Sequence, residues 1–196
     1  MPDEIVRTFF GFELPPEVPR RAAGLRTLVD DPKRAVRWVK GTNIHLTVRF
    51  LGATPRKAVE EIALATQKKL EEFPSLHVRI EGTGVFPTPT RPRVVWLGVT
   101  GDIARLQELE ESIHQVVEPM GFPREKREFF PHITLGRVRY PQKITPDVVK
   151  FLHAEYEPVD CPLQALHLYE SRLGNKGITY IPLATFPLKL IDQERP

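Results

Sequence analysis

Cysteine occurs once in the 196 residues, as Cys161. One thiol closes no intrachain disulfide and builds no zinc site alone, which points to a reducing compartment. No apolar run approaches the roughly 20 residues that a membrane helix needs. The opening MPDEIVRTFFGFELPPE meets acidic residues at once and has no apolar signal core. The expectation is a soluble, cytoplasmic protein. Nothing marks an oligomer interface, so a monomer is expected. An excess of one charge is also missing. The 28 Lys and Arg exceed the 25 Asp and Glu by only three, giving +3, and there is no basic tail. This balance permits an anionic ligand without requiring one, and it excludes a chromatin-type protein.

What the chain does have is apolar content, at 41%, which is enough to bury a sizeable core. It also has 20 prolines, about twice the usual ~5%, and these punctuate many short elements and exclude long bundles and coiled coils. Strands are predicted at 5–12, 37–39, 43–51, 76–80, 94–99, 130–138, 163–170 and 177–186. Helices are predicted at 17–30, after Thr54-Pro55, from Asp102, and from Thr145-Pro146 through His153. Gly52 is read as the stop of the 43–51 strand, and Gly174-Asn175 as a hairpin turn.

A repeat lies in this order. Helix, loop, a strand with His-Leu-Thr and a Thr-Pro helix start are followed by helix, loop, a strand with His-Ile-Thr and a second Thr-Pro start. His45 and His132 stand 87 residues apart. The duplicated units span about 17–73 and 102–153. The fold class expected is α+β: residues 1–196 as a single bilobal domain, with two pseudo-symmetric lobes of mostly antiparallel sheet and outer helices around a central cleft.

Each unit carries His-x-Thr on a strand. The two-residue period puts His and Thr on one face, ~6.5–7 Å apart along the strand. Two pairs brought together give two imidazoles and two hydroxyls. One imidazole can take a proton from a nucleophile while the other gives one to a leaving group, because the unperturbed pKa near 6.5 suits both roles. The hydroxyls of Thr47 and Thr134 suit the oxygens of a phosphate, with no metal or cofactor called for. Strict alternation puts Arg49 on the face of His45 and Thr47, a possible substrate contact. It puts Arg137 on the face opposite His132 unless a bulge at Gly136 re-aims it toward the cleft as a phosphate ligand.

HLTVRFLG (45–52) and PHITLGR (131–137) resemble the paired motifs of the two-histidine phosphoesterase superfamily. Within it the chain is similar to the bacterial and archaeal RNA 2′,3′-cyclic phosphodiesterases, once described as 2′-5′ RNA ligases. RTFFGFELP, RWVKGTNIHLTVRFLG, GVFPTPTRPRVVWLGV, LYESRL and ITYIPLATFPL extend the likeness over nearly the whole chain. Arg49 departs from it, since the family more often has a small or apolar residue there. The resemblance implies catalytic His45 and His132, phosphate-binding Thr47, Thr134 and Arg137, and metal-free opening of a cyclic phosphate to a 2′-phosphate. The substrate would be RNA with a 2′,3′-cyclic phosphate end or a small cyclic nucleotide. The two histidines would divide the base and acid roles, with His132 as base and His45 as acid or the reverse.

Two other readings fit the same residues: the reverse reaction, making a 2′-5′ linkage, and an RNA- or nucleotide-binding module without turnover. A metal hydrolase lacks its motifs. His77, His114, His153 and His167 are expected to be structural or simply exposed. Trp38 and Trp96 are expected in the core. Phe9, Phe10, Phe86, Phe129 and Phe130 are expected there too, unless one faces the cleft and stacks on a base. Arg124, Lys126 and Arg127 form a small basic cluster, either steering RNA or simply solvated.

Overall fold

The computed structural model describes residues 4–125, 127–139, 144–175 and 177–190. Nine strands and four helices follow one another: β1 (Ile5–Glu13), α1 (Glu17–Arg26), β2 (Val36–Trp38), β3 (His45–Pro55), α2 (Ala58–Leu70), β4 (Leu76–Phe86), β5 (Val94–Gly101), α3 (Ile103–Val117), β6 (His132–Val138), α4 (Val149–Leu152), β7 (Val159–Leu163), β8 (Ala165–Gly174) and β9 (Gly177–Pro187). They make an α+β fold with two antiparallel sheets. One sheet has the order β3-β1-β8-β9 and the other β2-β6-β5-β4-β7.

The sheet orders reveal the repeat more fully than the motifs do. Strand β3 beside β1 matches β6 beside β5, and each pair is joined through a helix, α1 or α3. The repeat therefore takes in strands ahead of the 17–73 and 102–153 units. The next strand in each sheet comes from the far half of the chain. β4, which follows the first unit, pairs with β5 in the second sheet, and β8 pairs with β1 in the first.

The helices bury the expected stripes. Leu106, Leu109, Ile113 and Val117 lie along one side of α3, and Ile62, Thr66 and Leu70 along α2. The two helices pack on each other and on β3, while α3 and α4 touch β4. Their apolar sides meet Leu46, Val48, Leu97, Ile133 and Leu135 from the sheets in one continuous core. Each such side chain contributes ~1.5–3 kcal/mol when fully buried.

Several expectations fail for local reasons, the Thr145-Pro146 helix start among them, since α4 begins only at Val149. Thr54 does not cap a helix. It lies in β3, fully buried, with its hydroxyl 2.7 Å from that of Thr8, and α2 starts at Ala58. Gly52 does not stop its strand either. It takes φ 74°, reachable for glycine at little cost, in an irregularity opposite Thr8 and Phe9, and β3 runs on to Pro55. A strand, β7, exists where none was expected. Its residues alternate buried and exposed, and Pro162 is tolerated because β7 is the edge of its sheet. Asp102 does precede α3, but its carboxylate accepts the His77 backbone N–H at 2.9 Å rather than capping.

Candidate active site

Strands β3 and β6 pack against each other across the two sheets. Both bulge, and at matching residues. In β3, Thr47 pairs with Gly11 but Arg49 pairs with Phe10, so Val48 is the extra residue. In β6, Thr134 pairs with Trp96 but Gly136 pairs with Val95, so Leu135 is extra. One extra residue reverses the facing of everything after it.

Arg49 therefore leaves the His45 face, against expectation. It is 3% exposed, and its guanidinium donates to the Pro123 carbonyl at 2.5 Å and lies 3.7 Å from Glu125. Phe50 takes its place, 51% exposed, on the His45 side with Phe9. Arg137, by the same shift, joins His132 and Thr134 and is exposed. Gly136 occupies the position that Arg49 holds in β3. A Cβ there would lie 2.7 Å from Val36 and 2.8 Å from Trp38, so only glycine lets β2 close over β6.

The two histidines are held alike. Nδ1 of His45 donates to the Asn43 carbonyl at 2.7 Å, and Nδ1 of His132 to the Phe130 carbonyl at 2.8 Å. A carbonyl only accepts, so Nδ1 carries a proton and Nε2 is the nitrogen left for other partners. Nε2 of His45 lies 2.9 Å from the Thr47 hydroxyl, which donates to it while the ring is neutral. Burial pushes both imidazoles below their ordinary range, and the carbonyl bonds oppose this. The Arg137 charge lowers both further, and that of His132 lowers His45. Arg137 also acts on Tyr180 of the first sheet. One guanidinium thus reaches both imidazoles from the second sheet.

Aromatic rings wall each histidine. Phe9 and Tyr180 both lie 4.9 Å from the His45 ring, and Tyr169 stacks on Phe9. Phe86 lies 5.2 Å, Phe130 6.3 Å and Trp96 6.4 Å from the His132 ring. Trp96 is thus a wall of the site and not a core residue. Its ring lies where a Cβ of Gly84 would be, on the neighbouring strand. Trp38 does pack against the core and stacks under the Arg26 guanidinium.

Residues 14–175 match the family described as the 2′-5′ RNA ligase superfamily. A relative from Aeropyrum pernix is 32% identical over 82% of this chain and 90% of its own length. One from Thermotoga maritima is 31% identical over 89% and 91%. Both carry the name RNA 2′,3′-cyclic phosphodiesterase. The chain belongs to the 2′-5′ RNA ligase superfamily. Among solved members, E. coli LigT complexed with 3′-AMP is 26% identical, covers 95% of this chain and 99% of its own, and has a TM-score of 0.74. A protein of Thermus thermophilus is 27% identical, covers 93% and 97%, and also scores 0.74. The likeness drawn from the two histidine motifs is thereby borne out, as are the α+β class and the enzymatic character of the chain.

Beyond the superfamily's motif strands, three of the other four histidines have side-chain partners. His114 is buried beside Glu118, 3.1 Å away, and His77 lies 3.9 Å from Asp160. His153 ends α4. His167 lies 2.9 Å from the Thr185 hydroxyl and packs on Tyr169. Arg124 is paired with Glu111 at 2.5 Å, Arg127 is exposed, and Lys126 lies outside the described residues. Sequence reasoning missed Phe50, Tyr169 and Tyr180. The sequence did carry a signal for Tyr169, which stands two residues after His167 on an alternating strand. No helix of the described residues is long and apolar enough to cross a membrane.

Proposed function

We propose that this protein hydrolyses 2′,3′-cyclic phosphate ends of RNA to 2′-phosphates, with His45 and His132 as its acid–base pair. Cyclic phosphodiesterase chemistry is what the superfamily relatives are named for. Residues 1–196 act as one catalytic unit, a cytoplasmic monomer. One observation carries the reading: two imidazoles on equivalent bulged strands, each anchored through Nδ1 to a carbonyl two residues earlier, with Arg137 acting on both.

Water attacks phosphorus as the bond to the 3′ oxygen breaks. Neutral His132 takes the water's proton at Nε2. Protonated His45 gives its Nε2 proton to the departing oxygen, so the leaving group exits as a hydroxyl and the product keeps the 2′-phosphate. Burial and the Arg137 charge disfavour a charged His45 in the free cleft. The acid proton therefore arrives with the negative charge of the substrate, which offsets that repulsion. Thr47, Thr134 and Arg137 hold the non-bridging oxygens. The donors suit an anion and need no metal. Among the described residues, no three His, Cys, Asp or Glu side chains gather as a ligand set.

The test is hydrolysis of a cyclic-phosphate-ended oligoribonucleotide in chelator, with the product read by phosphorus NMR. A 2′-phosphate is expected, and folded His45→Ala and His132→Ala variants should be nearly inert. Activity surviving in either variant, or lost on chelation, overturns the scheme.

A further inference from the structure

Several arginines at the surface answer a carboxylate: Arg20 answers Glu17, Arg56 answers Glu4 and Glu170, Arg79 answers Asp160, and Arg172 answers Glu170. Beside the cleft, three arginines have no such partner among the described residues. Strand β2 pairs with β6 so that Arg37 stands directly opposite Arg137. Directly opposite residues of an antiparallel pair share a face, so the two guanidinium groups project together. Val36 and Trp38 point the other way, onto Gly136, which fixes Arg37 on the cleft side.

Arg139 follows two residues after Arg137, and its N–H bonds the Ala35 carbonyl, continuing the same register. Arg37, Arg137 and Arg139 are all exposed. None of their side chains has a hydrogen bond or ion pair among the described residues. Like charges directly across a ladder destabilise it. A polyanion laid over them would reverse that sign.

We propose that Arg37, with Arg139 beside it, is a subsite for the backbone phosphate one nucleotide upstream of the reacting end. The inference rests on the reading that His45, His132 and Arg137 hold the cyclic phosphate. Arg37 lies one strand outward from Arg137, and Arg139 lies ~6.6–6.8 Å further along β6. These are steps of the size that separates successive phosphates on a single strand. Arg137 belongs to the reacting phosphate, and Arg37 and Arg139 serve the next one. The site then prefers an RNA end to an isolated nucleoside cyclic phosphate through charge alone, without reading a base.

Binding tests the inference separately from turnover. The probe is a fluorescent tetraribonucleotide ending in a 2′-phosphate, titrated by anisotropy at several salt concentrations. Arg37→Gln is expected to weaken binding about fivefold to tenfold at low salt. It should reduce the slope of log affinity against log salt by about 0.7, the share of one single-strand phosphate. Arg37→Lys should keep the slope. Turnover is then compared on three substrates: a nucleoside 2′,3′-cyclic phosphate, its 5′-phosphorylated form, and the tetranucleotide with a cyclic end. Arg37→Gln should leave the first within twofold and raise KM for the substrates with an upstream phosphate. An effect on both of those assigns the subsite to a single phosphate; an effect on the tetranucleotide alone assigns it to the polymer.

Unchanged binding and salt slope, or an equal loss on all three substrates, overturns the subsite. A wild-type protein inert on all three would overturn the proposed function instead, and the binding arm would still decide the role of Arg37.

Discussion

Strands β3 and β6 start alike and end differently. Both present His, then Thr, then bulge at the next residue. After the bulge, β6 sends a glycine inward and an arginine into the cleft, and β3 does the reverse, sending Arg49 inward and Phe50 outward. The repeat supplies two matching histidine arms, the acid–base pair of the proposed function. Divergence after the bulge gave one strand an exposed cation, Arg137, and the other an aromatic face, Phe50. The buried Arg49 ties β3 to the Pro123 carbonyl, in the segment that leads to His132.

The comparison can be broken at its shared part first. His45→Ala and His132→Ala should each lower kcat by about 10²–10⁴. Steady-state kinetics on a cyclic-phosphate-ended RNA reads both, and a tenfold or smaller loss in one would show that the arms are not equivalent. Thr47→Ala and Thr134→Ala should each cost about 2–4 kcal/mol of transition-state stabilisation, read as a fall in kcat/KM.

Stability sharpens the unshared part. Gly136→Ala puts a methyl against Val36 and Trp38 and should cost about 1–3 kcal/mol in a denaturant titration. Arg49→Leu removes a buried donor from the Pro123 carbonyl and should cost about 1–2 kcal/mol. The same change at Arg137, which is exposed, should leave the denaturation midpoint nearly unmoved.

The smallest effect is on pH. His45, His132 and His167 all have pKa values lowered from 6.5 in the folded chain. A lowered imidazole binds its proton less readily folded than unfolded. Its stabilising contribution is full above about 6.5 and is lost as pH falls through the folded value. Thermal melts should show declining Tm below about pH 6.5, and the His45→Gln, His132→Gln double variant should flatten that decline.

The two His-x-Thr strands were legible because alternation and repetition are local signals. Facing after Val48 was not, since the bulge is set by the register against Phe10 and Gly11, some 37 residues earlier in the chain. The bulge in β6 was foreseeable because a glycine stands there; in β3 the matching residue is Arg49, and nothing in its neighbourhood announces the shift. Trp96 reads as a core residue until Gly84, on another strand, is seen beneath it. Thr54-Pro55 has the letters of a helix start, yet Thr8, from the first strand, claims the hydroxyl. The Arg137 placement and the aromatic walls depend on pairings between distant segments, which no local window contains.

The exchange of β4 and β8 between sheets has a consequence for synthesis. By the time a ribosome has finished β6, both histidine motifs and Arg137 are made. Strand β1, however, still lacks its second partner, since Thr8 pairs with Glu170. Tyr169 and Tyr180, which complete the wall around His45, have not yet been translated. A nascent chain halted before β8 would carry both histidine motifs but not the tyrosine rings around His45, which come from the last sixth of these residues.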